Sequence, residues 1–262
     1  IAVGQEGDTW ETLNTTTGIN KLISRLRSYE FVLVVIESTG GLEKPLFKAL
    51  QAANLPVSRV HPGRVRKFAS GIGKLAKTDR IDARILAHYG FAALLKPTPK
   101  PEPACEALSA LLRRRNQVIE MLTAERNRRP SCADTLRPSL DEHIQWLISE
   151  RDTLTQQIES MLASEPEFQE KDAVLQSAKG VGPILSATLQ AELPELGQYP
   201  HKQISALVGV APFSKDSGQS SGKRYIQGGR SIVRNTLYLA TLSAIRHNSV
   251  IHAYYDHLLD RG

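Results

Sequence analysis

Phe31-Val-Leu-Val-Val-Ile-Glu-Ser-Thr-Gly-Gly41 runs from an unbroken aliphatic stretch through one carboxylate to a pair of glycines. Five aliphatic residues in succession after Phe31 predict a strand buried on both faces, and Gly40-Gly41 ends it. Glu37 therefore falls at the carboxyl end of a strand, where open α/β sheets place their chemistry. Outward from there, residues 1–3 predict the tail of a strand and residues 9–14 a short polar edge strand. Ile19, Leu22, Ile23 and Leu26 recur at helical spacing within 18–29. A second helix is expected over 42–53, and a short strand over 56–60 precedes a basic, glycine-containing stretch to Lys77. Strands alternating with helices predict an α/β sheet domain that ends near Gly90.

Thr78 is a helix-capping residue type, and a helix over 79–89 puts Asp79 and Asp82 on one face near its positive end. Two carboxylates so placed either complement the helix dipole or repel each other until a cation lies between them. With Glu37 they supply three hard oxygen donors of the kind that hold Mg²⁺, for which Mn²⁺ can substitute, at a phosphodiester-cleaving site.

The chain has 262 residues, enough for one large domain or two ordinary ones, and carries 33 Lys+Arg against 27 Asp+Glu. The distribution of that charge says more than its sum. Residues 59–84 hold eight Lys/Arg and two acids, which are Asp79 and Asp82 themselves. Residues 215–234 hold five Lys/Arg and one acid, whereas residues 141–172 hold nine acids and two bases. Cations gathered around the candidate carboxylates, Arg64, Arg66, Lys67, Lys74 and Lys77 among them, predict a polyanion-binding surface. Cys105 and Cys132 lack partners at metal-ligand spacing and read as reduced thiols. His247, His252 and His257 recur every five residues, which scatters them around a helix rather than gathering them as ligands. No apolar run approaches the length of a membrane span and none reads as a signal peptide, so a cytoplasmic protein with no membrane partner is expected.

Lys96-Pro-Thr-Pro-Lys-Pro-Glu-Pro103 has proline at every second position and predicts a stiff linker. Beyond it Leu108, Leu111, Leu112, Val118, Ile119 and Leu122 form one apolar stripe, and Leu147, Leu154, Ile158 and Met161 form another. Two long helices joined near 130–138 predict an antiparallel arm, which either makes a coiled-coil dimer contact or packs as a hairpin on its own domain. Lys179-Gly-Val-Gly-Pro183 then joins two further helices in the form of a helix-hairpin-helix. There Gly180 and Gly182 permit close backbone approach, Pro183 starts a helix whose free N–H groups suit a phosphate, and Lys179 adds charge. A plain glycine-containing helix turn is the other reading. Finally, residues 207–230 form a long loop rich in Ser and Gly, with Lys223, Arg224 and Arg230 in it and Arg234 just beyond. Its serines are either candidate nucleophiles or solvated turn residues.

Four motifs carry a resemblance: Ile36-Glu-Ser-Thr-Gly40, Lys77-Thr-Asp-Arg-Ile-Asp-Ala-Arg84, Lys179-Gly-Val-Gly-Pro183, and Gly209-Val-Ala-Pro212 with Ser217-Gly218, Gly229-Arg230, Arg234 and Leu237-Tyr238. Together they resemble the DEDD-type insertion-sequence transposases related to the pilin-gene invertases. The resemblance covers essentially the whole chain and keeps the order and spacing of the motifs. It implies an α/β plus α architecture: a RuvC-like sheet domain of RNase H type over 1–95, the linker and a helical coiled-coil arm over 96–170, and a mainly helical transposase domain over 171–262. Matched residue by residue, it implies that Glu37, Asp79 and Asp82 are the second, third and fourth acids of the metal site. It likewise implies that Ser217 is the serine that becomes linked to DNA.

The family's first acid lies in a strand with a Gly-Ile-Asp-like start, expected ahead of Ile1-Ala-Val3, and Glu6 and Asp8 are poor substitutes for it. The end at Arg261-Gly262 also reads as cut short. A polypeptide starting at Ile1 is accordingly expected to bind nucleic acid but to cleave it poorly or not at all, and a longer one that supplies that strand and its Asp beside Glu37 to be active with Mg²⁺. The resemblance further implies DNA as partner, a structured guide RNA from the same element (a bridge RNA), a homodimer or tetramer, and a bacterial-type, nucleoid-associated location. Two other functions fit parts of the pattern. A hydrolytic RuvC-like nuclease or junction resolvase needs the carboxylates but not Ser217, and a non-catalytic nucleic-acid-binding protein uses the acids only as helix caps.

Overall fold

The computed structural model describes residues 1–261 apart from 5, 6, 31, 32, 77, 215, 217 and 219–221. Packing divides the chain into two compact units, Ile1–Lys100 and Pro101–Gly262, and the break falls inside the proline-rich stretch.

In the first unit the aliphatic run becomes β1 (Val34–Glu37), while Phe31 and Val32 lie outside the described residues. β1 pairs in parallel with β2 (Val57–Val60), which sets Glu37 beside Val60, and α2 (Lys44–Ala52) makes the crossover. The pleat sends alternate residues to opposite faces. Ile36 and Val57 meet Leu22 and Leu26 of α1 (Thr16–Leu26) and Phe47 and Leu50 of α2. Val35 and Val60 meet Val65 and Ala69 of α3 (Pro62–Gly71) and Ile85 of α4 (Asp79–Ala92). Helices therefore cover both faces, as an unbroken aliphatic strand requires. Gly90 lets α4 lie directly on β1, since a Cβ there would stand 2.5 Å from Val35 Cγ2.

The two amino-terminal strands expected at 1–3 and 9–14 do not form. Those residues close a short hairpin with a single bridge between Ala2 and Thr9, in which Val3 N donates to Asp8 O at 3.0 Å and Trp10 N to Ile1 O at 3.1 Å. Glu11, Thr12 and Asn14 bring no apolar face that a sheet would bury. Among the described residues this unit has an α/β layered arrangement on a two-stranded sheet, without the wider sheet of an RNase H-type domain. The basic stretch after β2, for which no helix was expected, is α3. His61 Nδ1 accepts from Gly63 N at 3.0 Å, and Pro62 occupies the first turn, where its missing N–H costs nothing. The proline-rich stretch is anchored at its start: Thr98 N donates to Val57 O at 2.8 Å, and Thr98 Oγ1 accepts from Arg59 N at 3.0 Å.

The second unit opens with the arm, α5 (Pro103–Arg128) and α6 (Arg137–Ser164). Leu108 and Leu112 meet Ile158 and Leu162 at one end, and Val118 and Leu122 meet Ile144 and Leu147 at the other, so the helices are antiparallel. The base of the arm shares its core with Phe168 of α7 (Pro166–Gln176) and Ala187 of α8 (Pro183–Glu192), so the arm and the carboxy-terminal helices pack as one unit. α8 is its centre: every residue from Leu185 to Gln190 is buried, and Leu185, Leu189 and Leu193 pack with Val208 of α9 (His201–Val208) and Val233 of α10 (Ser231–His247). Ser186 Oγ donates to Asp172 Oδ1 at 2.5 Å and so ties α8 to α7. α11 (Ser249–Leu259) follows, capped by Asn248. Where one long open loop was expected, β3 (Pro212–Phe213) pairs antiparallel with β4 (Tyr225–Ile226), so the residues that flank the serine-rich segment form a short ribbon.

Candidate active site and nucleic-acid surface

Three carboxylates lie on adjoining elements of the first unit. Glu37 is the last residue of β1 and half-buried, and the chain leaves it through Gly40 and Gly41, both in the left-handed region at φ 69° and 109°. Asp79 and Asp82 occupy the first turn of α4, which Thr78 caps by accepting from Ile81 N at 3.2 Å. α4 packs on β1 through Gly90 and Val35, towards its carboxyl end, while Asp79 at its start lines a cleft with Ile1, Thr9, Trp10 and Glu11. None of the three carboxylates has a hydrogen-bond or ion-pair partner among the described residues. Their donor chemistry suits a hard divalent cation. Their geometry does not: among the described residues no three His, Cys, Asp or Glu side chains come close enough to hold one ion. The site as folded is a set of separate carboxylates rather than a cage.

The residue that shapes the Glu37 end is Glu43, which the sequence pattern did not single out. Its side chain is 7% exposed, and Oε2 accepts from Gly41 N at 2.8 Å and Thr39 N at 3.0 Å, while Oε1 faces Arg59 Nη1 at 3.6 Å. Burial pushes its carboxyl up, but three backbone N–H groups and the Arg59 charge outweigh that and leave it below the usual glutamate range. A depressed carboxyl contributes stability that is present above the unfolded value and lost as pH falls through the folded one. Glu43→Gln should therefore cost about 1–2 kcal/mol near neutrality and progressively less below about pH 4.5. Urea midpoints of both proteins at several pH values check this, and a pH-independent gap would show that the turn does not depend on the carboxylate.

The cations are distributed on three surfaces. On α3, Val65 and Ala69 face the core and Arg64, Arg66 and Lys67 are exposed, with Lys74 just beyond. Arg66 spends one arm on Leu75 O at 2.8 Å. Lys77 lies outside the described residues. Arg80 and Arg84 extend the exposed basic face along α4, and their four-residue spacing beside the buried Ile85 was the signal for them. At the helix hairpin Lys179 is exposed, and Asn248 Nδ2 donates to its carbonyl at 3.1 Å. Gly180 is needed for packing rather than for phosphate approach. It sits at φ 104°, and a Cβ there would meet Ala244 Cβ of α10 at 2.4 Å, whereas Gly182 faces open space in ordinary extended backbone. Because Pro183 carries no N–H, the first turn of α8 offers those of Ile184 and Leu185.

The third surface is the ribbon. Ser217, Lys215, Ser220 and Ser221 lie outside the described residues, but their flanks are placed. Asp216 Oδ1 accepts from Gly222 N at 3.2 Å across the tip, and Asp216 Oδ2 stands 4.0 Å from Arg224 Nη2. Lys223 and Arg224 are exposed there. Arg230, expected among the nucleic-acid ligands, is otherwise engaged. Nη1 and Nη2 both reach the Glu195 carboxylate at 2.6 Å, and Nη1 also donates to Glu192 O at 2.8 Å. Those hydrogen bonds hold the Glu195 carboxyl below its usual range and raise Arg230. Arg234 donates to Gly228 O at 2.6 Å and so also braces the ribbon base.

Acids at a strand end and a helix start in one unit, and a cationic ribbon in the other, are residue types that suit a phosphodiester backbone. A family model described as a transposase, the DEDD type of IS110, matches residues 4–138, and one described as the transposase IS116/IS110/IS902 family matches residues 172–256. The chain belongs to this family of transposases, enzymes that act on DNA. Pilin gene-inverting proteins of Moraxella bovis and Moraxella lacunata are each 25% identical to it over 243 residues, which cover 88% of this chain and 75% of theirs. No described helix is long and apolar enough to cross a membrane.

Proposed function

We propose that this transposase cuts and rejoins DNA through a phosphoserine at Ser217, as a site-specific recombinase that inverts or moves a DNA segment. The observation that carries the reading is the ribbon. β3 and β4 pair on either side of the serine-rich segment, and Lys223 and Arg224 are exposed just ahead of β4, inside the stretch that the second transposase model matches. The Ser217 hydroxyl attacks phosphorus, one bond to a deoxyribose oxygen breaks, that oxygen leaves with a proton, and the serine proton passes to solvent. Attack on the phosphoserine by a new strand's hydroxyl restores both the phosphodiester and the serine, so exchange needs no external energy. Lys223 and Arg224 offset charge on the non-bridging oxygens.

A divalent cation, Mg²⁺ or Mn²⁺ in its place, enters this reading through the donor chemistry of Glu37, Asp79 and Asp82 alone. When bound it would polarise the phosphate, and no step above is routed through it. Arg64, Arg66, Lys67, Lys74, Lys77 and Lys179 hold nucleic acid. The partners are DNA and a structured guide RNA from the same element, the chain assembles as a homodimer or tetramer, and the setting is the bacterial-type cytoplasm, at the nucleoid.

The test is a plasmid carrying the chain's gene with its native flanks, quenched in detergent after expression of the protein. DNA that partitions with protein, and loses that behaviour on proteolysis, is the expected result. Free strand ends without linked protein would mean a hydrolytic nuclease, and retention on DNA with neither would mean a binding protein.

A further inference from the structure

The ribbon that carries the serine segment cannot hold its own direction. β3 and β4 are two residues each, and Pro212, Phe213, Tyr225 and Ile226 are all exposed, so the pair buries no core of its own. An isolated two-stranded hairpin of that kind is marginal in water. Its orientation has to come from the base.

At the base the two arms of the ribbon touch through glycine. Gly209, at φ 86°, ends α9 and enters the ribbon, and Gly229, at φ 70°, leaves it. A Cβ on Gly229 would stand 2.3 Å from Gly209 N, and one on Gly209 2.3 Å from Gly228 O, so neither position admits a side chain. Arg230 N then donates to Leu207 O at 2.9 Å, and the Arg230 side chain crosses to the end of α8, to Glu192 O and the Glu195 carboxylate.

We propose that the Glu195–Arg230 pair is a positioning clasp, which fixes the base of the ribbon against α8 and thereby sets the direction in which the Ser217 segment meets the DNA backbone. The proposal rests on the reading of Ser217 as nucleophile, and neither Glu195 nor Arg230 touches substrate. Magnitudes favour positioning over plain stabilisation. The side chains are 33% and 25% exposed, and a solvent-screened pair of that kind adds little to global stability. The fork of two parallel N–H···O bonds is nonetheless the most orientation-specific contact that charged side chains make. Its loss frees the ribbon without unfolding the α8–α10 core, where Val233 and Leu193 stay packed.

The experiment compares the full-length protein with Glu195→Gln, Arg230→Lys and the double exchange Glu195→Arg with Arg230→Glu. Glu195→Gln keeps the shape of the side chain and removes its charge, so it guards against a variant that fails to fold. Hydrogen exchange of the peptide covering 210–227 is read on all forms, together with the rate of protein–DNA linkage at saturating plasmid, the affinity for that plasmid, and the melting temperature. Faster exchange in that peptide is expected for Glu195→Gln and Arg230→Lys. Their linkage rate should fall by about ten- to a hundredfold, with affinity and melting nearly unchanged, since misplacement of about 1 Å costs that much. Partial return of both exchange protection and rate in the double exchange is the signature of the pair. Unchanged exchange in Glu195→Gln, or a melting temperature that falls in step with the rate, overturns the clasp. If wild type and Ser217→Ala link DNA equally, the nucleophile reading fails, while exchange at 210–227 still decides whether Glu195 and Arg230 hold the ribbon.

Discussion

Ser217→Ala should abolish the covalent protein–DNA species and the recombined product while leaving DNA binding within about twofold of wild type. Removal of an attacking hydroxyl takes away the only bond that the proposed first step forms, and losses on the order of 10³-fold or more are usual for nucleophile deletions. Binding should survive because, on the proposed reading, it rests on exposed cations of α3, α4, the helix hairpin and the ribbon, and Ser217 adds no charge to that sum. Ser214→Ala, Ser220→Ala and Ser221→Ala should each keep most of the rate, since none of them forms the Ser-Gly pair with Gly218. Rates of linkage on the gene-bearing plasmid, read beside binding isotherms at a stated salt concentration, give the comparison. Full activity in Ser217→Ala with loss in one of the neighbours would move the nucleophile to that neighbour.

The second large effect belongs to the acids. On the proposed reading that these acids act at the phosphate, Asp82→Asn should reduce linkage by about 10²- to 10³-fold, and Glu37→Gln should do the same. Neither should weaken DNA binding. Each removes a negative charge beside a basic face, so binding should hold or tighten, most visibly at low salt. The contrary account has Asp79 and Asp82 merely complementing the dipole of α4, a role that costs only a few tenths of a kcal/mol to lose because Thr78 remains as the cap. On that account Asp82→Asn reacts at the wild-type rate. The separation between a thousandfold loss and none needs no precise assay.

The parts of the fold that the sequence made plain are those whose cause is local. The aliphatic run into Glu37, the paired glycines after it, the Thr78 cap with Asp79 and Asp82, and the apolar stripes of the arm all depend on near neighbours, and each forms where the pattern puts it. Elements were missed where the decisive contact comes from far along the chain. α3 hid behind its charges, although His61-Pro62 was a readable start signal. The β3–β4 ribbon has two residues to a strand and no alternating pattern to read. Residues 1–3 and 9–14 looked like strands, yet only Ile1 and Trp10 reach the core, and the two segments close on each other through a single bridge. Within the site, the motif residues were legible because their chemistry is carried by residue type and spacing. Glu43 and Glu195 were not. Glu43 matters through the backbone N–H groups of a turn, at Thr39 and Gly41, that no residue pattern marks, and Glu195 through Arg230, 35 residues on. Arg230 shows the same limit from the other side: as a residue in a basic loop it reads as a phosphate ligand, and its pairing with the Glu195 carboxylate is visible only in the fold.

The central claim is that Ser217 itself becomes bonded to DNA, and the most direct measurement is the mass of the linked peptide. The trapped protein–DNA species is digested with nuclease and protease, and the peptide bearing a nucleotide remnant is fragmented to locate it. The account expects the remnant on Ser217, within the segment between β3 and β4. A remnant on any other residue, or a plasmid cut to completion with no modified peptide at all, would contradict it.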